Sequence, residues 1–219
     1  MHKYSTSIIK YLLITSCLVL LSACTVNKDF REGQHYKRIT PELAKQETHE
    51  KIEVIEMFFY GCPHCYELEP KIDRWVEKNA NVISFQRMPA IVAPSWITQA
   101  KAYYIAQELG LLDKLHTVLF EKIHKQGKQY YNDYTLMEFF INQGVERSDF
   151  IQANNSTTVA EKLNNARVMT VKYGLRGVPA VIINGKYKTA PFYTRTQEEM
   201  FEVLDSLIEQ ETTLIKQKQ

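Results

Sequence analysis

Two cysteines separated by two residues, in the sequence Cys62-Pro63-His64-Cys65, follow directly on an apolar run from Val54 to Tyr60. Cysteines at this spacing can close a small disulfide and open it again, which exchanges electrons with other thiols without a bound cofactor. The apolar run predicts a buried strand, and the residues after Cys65 have helical periodicity. The tetrapeptide therefore predicts a redox site at the point where a strand ends and a helix begins.

This position predicts different roles for the two cysteines. A helix N-terminus presents unpaired N–H groups and the positive end of the backbone dipole, which lower the pKa of a thiol placed there. Pro63 suits the first helical turn, where its missing N–H is no loss, and His64 can add a positive charge or a hydrogen bond when the thiolate forms. We therefore expect Cys62 to react as a thiolate and Cys65, one turn further in, to resolve the mixed disulfide.

Other uses of a cysteine pair fit this sequence less well. A structural zinc site needs four ligands, and the nearest candidates, His116 and His124, lie far along the chain and eight residues apart. A c-type haem requires a histidine directly after the second cysteine, where this chain has Tyr66. An inert disulfide across so small a loop would stabilise the fold little. We expect no metal and no cofactor at this pair.

The charge balance argues against one class of partner. The chain has 219 residues, of which 45% are hydrophobic, enough for one well-buried core. Of the 27 Lys and Arg residues, Lys3 and Lys10 lie in the N-terminal segment, and the remaining 25 equal the 25 acidic residues in number. A body without net charge argues against binding of nucleic acid or of an anionic membrane through electrostatics.

Residues 1–23 have the organisation of an export signal. Two lysines precede an apolar stretch of 13 residues, Tyr11 to Ala23, which is shorter than the roughly 20 residues that a transmembrane helix needs. The residues Leu21-Ser-Ala-Cys24 resemble the cleavage site of bacterial lipoproteins, in which a diacylglycerol is joined to the cysteine sulfur. The alternative is an ordinary secreted protein that happens to have a cysteine near its cleavage site.

The cysteine count favours the lipoprotein interpretation. Cys17 would be removed with the signal peptide, and acylation of Cys24 would leave Cys62 and Cys65 as the only thiols of the mature chain. Disulfides persist outside the cytoplasm, yet no spare pair is left for a structural bridge. We expect a lipid-anchored protein of the bacterial periplasm, with the outer membrane favoured because Thr25 stands where many inner-membrane lipoproteins have aspartate.

The order of predicted elements is β-α-β, a helical block, and then β-β-α. In the block, glycines end helical segments and aromatic residues are interpreted as core, while Asn184-Gly185 predicts a tight hairpin turn. Thr40-Pro41 predicts a helix start, and three Thr-x-x-Glu sequences predict capping boxes. The glycine stops are Gly110, Gly127, Gly144 and Gly174, the capping boxes begin at Thr135, Thr158 and Thr196, and the aromatic residues are Tyr103, Tyr104, Phe120, Phe139 and Phe140.

Several separated segments resemble one known family. The segment Glu56 to Tyr66, together with Leu175 to Ala180 and Asn184 to Tyr187, resembles the DsbA-type thiol:disulfide oxidoreductases of the bacterial periplasm. The likeness covers about residues 30–208 and implies an α/β thioredoxin fold with an inserted helical domain. The division that follows is a signal peptide at 1–23, a tether with the first short elements at 24–50, the two parts of the thioredoxin domain at 51–90 and 175–219, and the insert at 91–174.

The resemblance also implies roles for single residues. Val178 and Pro179 would form a cis-proline segment that faces the cysteines and pairs with the substrate backbone, and Glu56 and Glu69 would handle protons. The family places a lysine on the strand after the active-site helix, whereas this chain has Phe85-Gln86-Arg87 there. The family's buried acid–lysine pair therefore has no evident counterpart in the sequence.

By resemblance, the chain would donate its Cys62–Cys65 disulfide to unfolded or partly folded exported proteins. A quinone-linked membrane oxidase of the DsbB type would then reoxidise it. One alternative is a disulfide isomerase or reductase, although isomerases resembling DsbC carry a dimerisation domain for which the stretch from Cys24 to Ile52 is too short. Another alternative is a lipoprotein chaperone or binding module that uses the aromatic helical block.

Overall fold

A computed structural model describes residues 29–43 and 51–218 of the chain. The predicted signal peptide and the predicted lipidation site at Cys24 lie outside the described residues. Among the residues that are described, no helix is both long enough and apolar enough to cross a membrane.

The described chain forms one five-stranded sheet whose central strand is β2. Strand β2 pairs in parallel with β3 and antiparallel with β4, β4 pairs antiparallel with β5, and β5 pairs antiparallel with β1. The spatial order is β1-β5-β4-β2-β3. The strands are β1 (Lys37–Arg38), β2 (Ile52–Phe58), β3 (Ile83–Pro89), β4 (Ala180–Ile183) and β5 (Tyr187–Thr189).

Helices occupy three places in this order. Helix α1 connects β2 to β3, five helices lie between β3 and β4, and the last helix follows β5. This agrees with the predicted order, and the fold is an α/β thioredoxin fold with a helical insertion. The helices are α1 (Pro63–Asn79), α2 (Ile97–Glu108), α3 (Leu112–His124), α4 (Asp133–Asn142), α5 (Arg147–Asn154), α6 (Thr157–Lys172) and α7 (Gln197–Lys218), with 3₁₀ turns at Pro94–Trp96 and Pro191–Tyr193.

Strand β2 alternates its side chains between two cores. Ile52 and Val54 pack with α1 and α7, whereas Ile55 and Met57 face the opposite side of the sheet. The five aromatic residues of the insert that were interpreted as core are all buried, in a third core that also contains Phe58 at the end of β2. The insert therefore packs against the strand that leads into the cysteine pair.

Turn residues account for several boundaries. Asn184 and Gly185 both have positive φ, 48° and 62°, as the predicted two-residue hairpin requires. The four predicted glycine stops also have positive φ. At the start of α7, the backbone N–H of Glu199 donates to Thr196 Oγ1 at 3.0 Å, which confirms that capping box.

Other predicted boundaries are wrong. Thr135 and Thr158 lie inside α4 and α6, whose N-cap residues are Asn132 and Ser156. Asn132 takes the capping role of Thr135 because its side chain accepts a hydrogen bond from the Thr135 N–H at 2.9 Å. Pro41 lies in a bend after a cis peptide bond rather than in a first helical turn.

The polar stretch before Arg38 is also more ordered than a tether. Lys37 and Arg38 form β1 at the edge of the sheet, and Glu32 bridges to Tyr36. The Thr189 hydroxyl donates to the carbonyl of His35 at 2.8 Å, which joins this stretch to β5. The described part of the stretch, from residue 29, is thus integrated with the sheet.

Candidate active site

Strand pairing brings the cysteine pair next to the Val178–Pro179 segment. Met57 near the end of β2 lies opposite Ala180 at the start of β4. The segment that follows β2 and the segment that precedes β4 therefore meet at the same end of the sheet. The Val178–Pro179 peptide bond is cis. The Cys62 thiol donates to the Val178 carbonyl over 3.5 Å, although the two residues are 116 positions apart in the chain. The structure thus brings together these two groups of predicted site residues.

The backbone around Cys62 fixes the start of α1. Cys62 is the N-cap of the helix with extended φ and ψ of −88° and 117°, and Pro63 follows in the first turn. Gly61, the residue before Cys62, lets the backbone pass close to the Phe59 ring, because a Cβ at position 61 would lie 2.5 Å from that ring. The Phe59 ring is itself held by stacking on Trp96, with ring centroids 4.0 Å apart.

The environment of Cys62 favours its thiolate. Its pKa is lowered to about 6, first by a hydrogen bond from the Cys65 thiol, then by the N–H groups of Cys65 and His64 and by the charge of His64, against the opposing effect of burial. These N–H groups belong to the first turn of α1, where they have no partner within the helix. The thiol is reduced in this structure and partly exposed. At neutral pH, Cys62 is therefore largely a thiolate, the nucleophilic form, when it encounters another thiol or disulfide.

Cys65 has the opposite character. It is fully buried in the core shared with the insert, and its pKa is raised, first by burial and then by the hydrogen bond to Cys62 and the charge of Cys62. A buried thiol with a raised pKa holds its proton until a neighbouring base removes it. The pair therefore consists of one reactive and one protected sulfur.

The His64 side chain projects into solvent. It is 72% exposed, and its Nδ1 lies 3.5 Å from a carboxylate oxygen of Glu67, which is itself 62% exposed. The position of His64 in the first turn allows its charge to act on Cys62 without burial of the imidazole. Solvent screens this contribution, which is accordingly the last of those that lower the Cys62 pKa.

Glu56 and Glu69 meet beneath the cysteines at a common cation, Arg87. Arg87 Nε lies 3.0 Å from Glu56 Oε2, and Arg87 Nη2 lies 3.0 Å from Glu69 Oε2 and also contacts Asp73. Glu56 and Arg87 are direct neighbours in the β2–β3 register. The sequence has no lysine at the position that the family resemblance implies. The Glu56–Arg87 pair is the counterpart of the buried acid–lysine pair, with arginine in place of lysine.

One guanidinium does not keep both buried carboxyls ionised. The pKa of Glu56, which is 0% exposed, is raised to about 8, first by burial and then by the charge of Glu69. Burial likewise raises the pKa of Glu69 to about 7, although Arg87 opposes the shift. One oxygen of each carboxyl, Oε1, is buried and has no hydrogen-bond partner in the part of the chain that the structure describes. The two groups can therefore hold and release protons near neutral pH.

His116 and Tyr60 extend this buried cluster, and the sequence did not predict either residue as part of the site. His116 Nδ1 lies 2.8 Å from the Tyr60 hydroxyl, and His116 Nε2 lies 3.3 Å from Glu69 Oε2. Burial, followed by the charge of Arg87, lowers the pKa of His116 to about 4, so the imidazole is neutral at neutral pH. The histidine lies on α3 of the insert, and no local pattern places it beside α1.

His124 gives a second contact between the insert and the active-site loop. Its Nε2 lies 2.7 Å from the Tyr60 carbonyl, and its ring stacks on Tyr66 with centroids 4.9 Å apart. His116 thus contacts the Tyr60 side chain, whereas His124 contacts the Tyr60 backbone, and each also contacts a residue of α1. Over residues 29–43 and 51–218, no group of three or more His, Cys, Asp or Glu side chains is placed to hold a metal ion.

A cysteine pair at the start of the first helix, opposite a cis-proline segment in a sheet of this topology, defines a thioredoxin-fold redox protein. Comparison with known proteins narrows this class. The family model described as DSBA-like thioredoxin domain matches residues 53–203. The chain is 39% identical to the thiol:disulfide interchange protein DsbA of Burkholderia cepacia over 73% of this chain and 76% of that protein. It is 34% identical to that of Pseudomonas syringae pv. tomato over 94% and 97%.

A solved structure agrees with these relatives. The crystal structure of Pseudomonas aeruginosa DsbA superposes with a TM-score of 0.80 at 30% identity, covering 87% of this chain and 98% of that one. The chain belongs to the DSBA-like thioredoxin domain family. It is a thiol:disulfide oxidoreductase, as the spacing of the cysteines predicted.

The electrostatics of Cys62 give a first prediction. In the reduced protein, the ultraviolet absorbance of the thiolate should titrate with a pKa of about 6. His64→Leu should raise that pKa by roughly 0.5 to 1, because it removes a positive charge and leaves the helix N-terminus in place. The matched control Arg74→Leu removes an exposed cation further along α1 and should leave the pKa unchanged. Equal titrations of wild type and His64→Leu would contradict the role of His64.

The buried carboxyl gives a second prediction, on stability. The pKa of Glu56 is about 8 in the folded protein against 4.5 for an exposed carboxyl, so between these values the folded state keeps a proton that the unfolded chain releases. Stability must fall with pH across this window. Between pH 4.5 and pH 8, the wild type should lose on the order of 1–3 kcal/mol more unfolding free energy than Glu56→Gln.

Urea denaturation of the reduced proteins across this range measures the difference. The titration of Cys62 affects both proteins and cancels in the comparison. The control Glu67→Gln removes an exposed carboxyl and should follow the wild type. If the curves of wild type and Glu56→Gln run parallel, Glu56 does not hold a proton in the folded state.

Proposed function

We propose that this protein is an oxidant that gives its Cys62–Cys65 disulfide to newly exported proteins. The observation that carries the proposal is the asymmetry of the pair, since the Cys62 pKa is lowered to about 6 while burial raises that of Cys65. A stabilised Cys62 thiolate stabilises the reduced form and so makes the disulfide more oxidising. Such a pair tends to pass its disulfide to ordinary protein thiols.

The reaction proceeds by two exchanges. A substrate thiolate attacks the Cys62 sulfur, the Cys62–Cys65 bond breaks, and a mixed disulfide forms while Cys65 leaves with the electron pair. A second substrate thiolate then attacks the substrate sulfur of the mixed disulfide and releases Cys62 as a thiolate. The substrate loses two electrons, which the cysteine pair gains. The lowered pKa of Cys62 favours the second exchange because a more acidic thiol is a better leaving group.

Cys65 needs a proton when it leaves and a base when it is reoxidised. We assign this exchange to Glu56 and Glu69, whose pKa values of about 8 and 7 suit donors and acceptors near neutral pH. His116 lies within 3.3 Å of Glu69 and also lines a cavity of about 420 Å³ with Asp113 and Thr117. This cavity supplies a route by which protons leave the buried cluster for solvent.

The Val178–Pro179 segment orients the substrate in this proposal. The Val178 carbonyl accepts a hydrogen bond from the Cys62 thiol over 3.5 Å in the reduced protein. When Cys62 is joined to a substrate it has no S–H, and the carbonyl can accept from the backbone of the attached chain instead. Backbone pairing of this kind is independent of side-chain identity, which suits an enzyme that acts on many unfolded or partly folded chains. Pro179 offers no N–H at the same place.

A quinone-linked membrane oxidase of the DsbB type would reoxidise the pair in the bacterial periplasm. We favour an oxidant over an isomerase or reductase because the site stabilises the reduced form. The chaperone alternative has less support, since the five aromatic residues of the helical block on which it rests are all buried in the third core. The redox state of the pair in cells separates the first two functions, because an oxidant is mostly oxidised and an isomerase mostly reduced.

Single cysteine variants test the proposed chemistry. Cys62→Ala should abolish oxidation of a dithiol peptide, because no mixed disulfide can form with the buried Cys65. Cys65→Ala should accumulate mixed disulfides with substrate chains that already contain a disulfide, visible on non-reducing gels and by mass spectrometry. The Cys62 thiolate attacks such a disulfide, and no Cys65 thiol is left to displace the substrate from Cys62. Both variants should fold, since the pair carries no structural bridge in the reduced protein. Wild-type activity in Cys62→Ala would refute the proposal.

We also propose that Cys24 carries a lipid that anchors the mature protein to the periplasmic side of a membrane, with the outer membrane favoured. The support is the sequence Leu21-Ser-Ala-Cys24 after a short apolar stretch. Metabolic labelling with an alkyne fatty acid should mark the wild type and leave Cys24→Ser unlabelled, and the wild type should sediment with membranes. Retention of the label in Cys24→Ser, or a soluble wild type, would contradict anchoring at this residue.

A further inference from the structure

Three cations converge on a pocket beside the cis-proline segment. Lys37 of β1, Arg176 of the loop after α6 and Lys188 of β5 line a cavity of about 370 Å³, a size at the lower end for ligand pockets. Of the residues that the structure describes, no acidic one is part of its lining. Gly177 and Ala180 form part of its wall, and they flank the Val178–Pro179 segment on either side. We call this cavity the basic pocket.

The cations of the basic pocket lie close together, and no acidic side chain among the described residues balances them. Lys37 is directly opposite Lys188 in the β1–β5 register, a placement of like charges that costs stability. The pKa of Lys188 is lowered, first by burial and then by the charges of Lys37 and Arg176. Two of the Lys188 hydrogen bonds go to the carbonyls of Tyr173 and Gly174, so its contacts within the chain are to neutral groups. The repulsion is therefore not relieved locally.

Two neighbouring cations outside the basic pocket do have carboxylate partners. Arg38, next in the chain, lies 3.5 Å from carboxylate oxygens of Glu32 and Glu42, and Arg195 lies 2.8 Å from Glu199. Within residues 29–43 and 51–218, neither Lys37 nor Arg176 has an ion pair, and the recorded contact of Lys37 is with the face of the Tyr193 ring. Lys37 and Arg176 thus differ from these two neighbours in having no carboxylate partner in the described part of the chain.

We infer that the basic pocket receives an acidic side chain of the substrate polypeptide, a few residues away from the cysteine that reacts with Cys62. The inference rests on the proposed function and names a substrate preference for it. A chain joined to Cys62 and running along the Val178 carbonyl passes directly to the pocket wall at Gly177. Its carboxylate would neutralise Lys37 and Arg176, and its aliphatic stem would lie against Phe192, which is 64% exposed.

The test compares peptides that differ in one charge. Oxidation of peptides with two cysteines is followed by quenched flow, with Glu or Gln placed in turn at each of the positions around the first cysteine. Oxidised wild type should react about three- to tenfold faster with the Glu peptide at one or two positions, as a small number of partly screened ion pairs allows. Added salt should remove most of this preference.

Variants assign the preference to the basic pocket. Lys37→Gln combined with Arg176→Gln should reduce the preference to less than about twofold and leave the Gln peptide unaffected, since neither residue contacts the cysteines. Arg38→Gln combined with Arg195→Gln removes two cations that already have carboxylate partners and should keep the preference. Lys188 is left in place because it holds the carbonyls at the end of α6. Thermal unfolding of the first double variant should show no loss of stability, because a like-charge contact is relieved.

Two results would overturn the inference. One is equal rates of wild type with Glu and Gln peptides at every position, and the other is an equal loss of preference in both double variants, which would indicate steering by overall charge. If none of the peptides is oxidised, the proposed function fails instead. The same peptides with serine in place of cysteine then test separately whether the basic pocket binds an acidic side chain. They should shift the amide NMR signals of Lys37 and Arg176 only when they carry Glu.

Discussion

The pairing of β2 with its two neighbours is the constraint on which the site depends. On one side, the antiparallel contact with β4 carries the Val178 carbonyl to the Cys62 sulfur across 116 residues of chain. On the other side, the parallel contact with β3 sets Arg87 opposite Glu56. A shift of either register by one residue would turn these side chains to the other face of the sheet. Strand β2 therefore positions both the redox pair and the buried charges.

The charge balance beneath the cysteines explains why protons are available there. Arg87 is a single cation, and it is contacted by Glu56, Glu69 and Asp73. Asp73 is half exposed and keeps part of its hydration, whereas the two glutamates rely on Arg87 for most of their stabilisation as anions. A buried pair of carboxyls with one cation between them is most stable with a proton shared in the cluster. In the proposed function, this is the proton that Cys65 takes up when it leaves Cys62.

Local patterns predicted most of the fold and the position of the cysteine pair at the start of a helix. The cysteine pair, the Asn184-Gly185 turn and the glycine stops are each fixed by the demands of a few adjacent residues. The short β1 strand was missed because two polar residues at a sheet edge leave no apolar pattern. Contacts such as His116 with Glu69 depend on how the insert docks, and no periodicity encodes docking. Arg87 is evident in the sequence, but its pairing with the buried carboxyls was missed because the family resemblance implies a lysine there.

The core of the insert is continuous with the redox site. Cys65, Phe58 and Tyr60 belong to the same buried cluster as the aromatic residues of α2, α3 and α4. Helices in such an arrangement open transiently, each with its own free energy. Because Cys65 is fully buried in this cluster, its sulfur is shielded from solvent while the insert is folded and docked. The insert therefore acts as a cover that keeps dissolved oxidants away from the inner sulfur, in addition to shaping the surface of the enzyme.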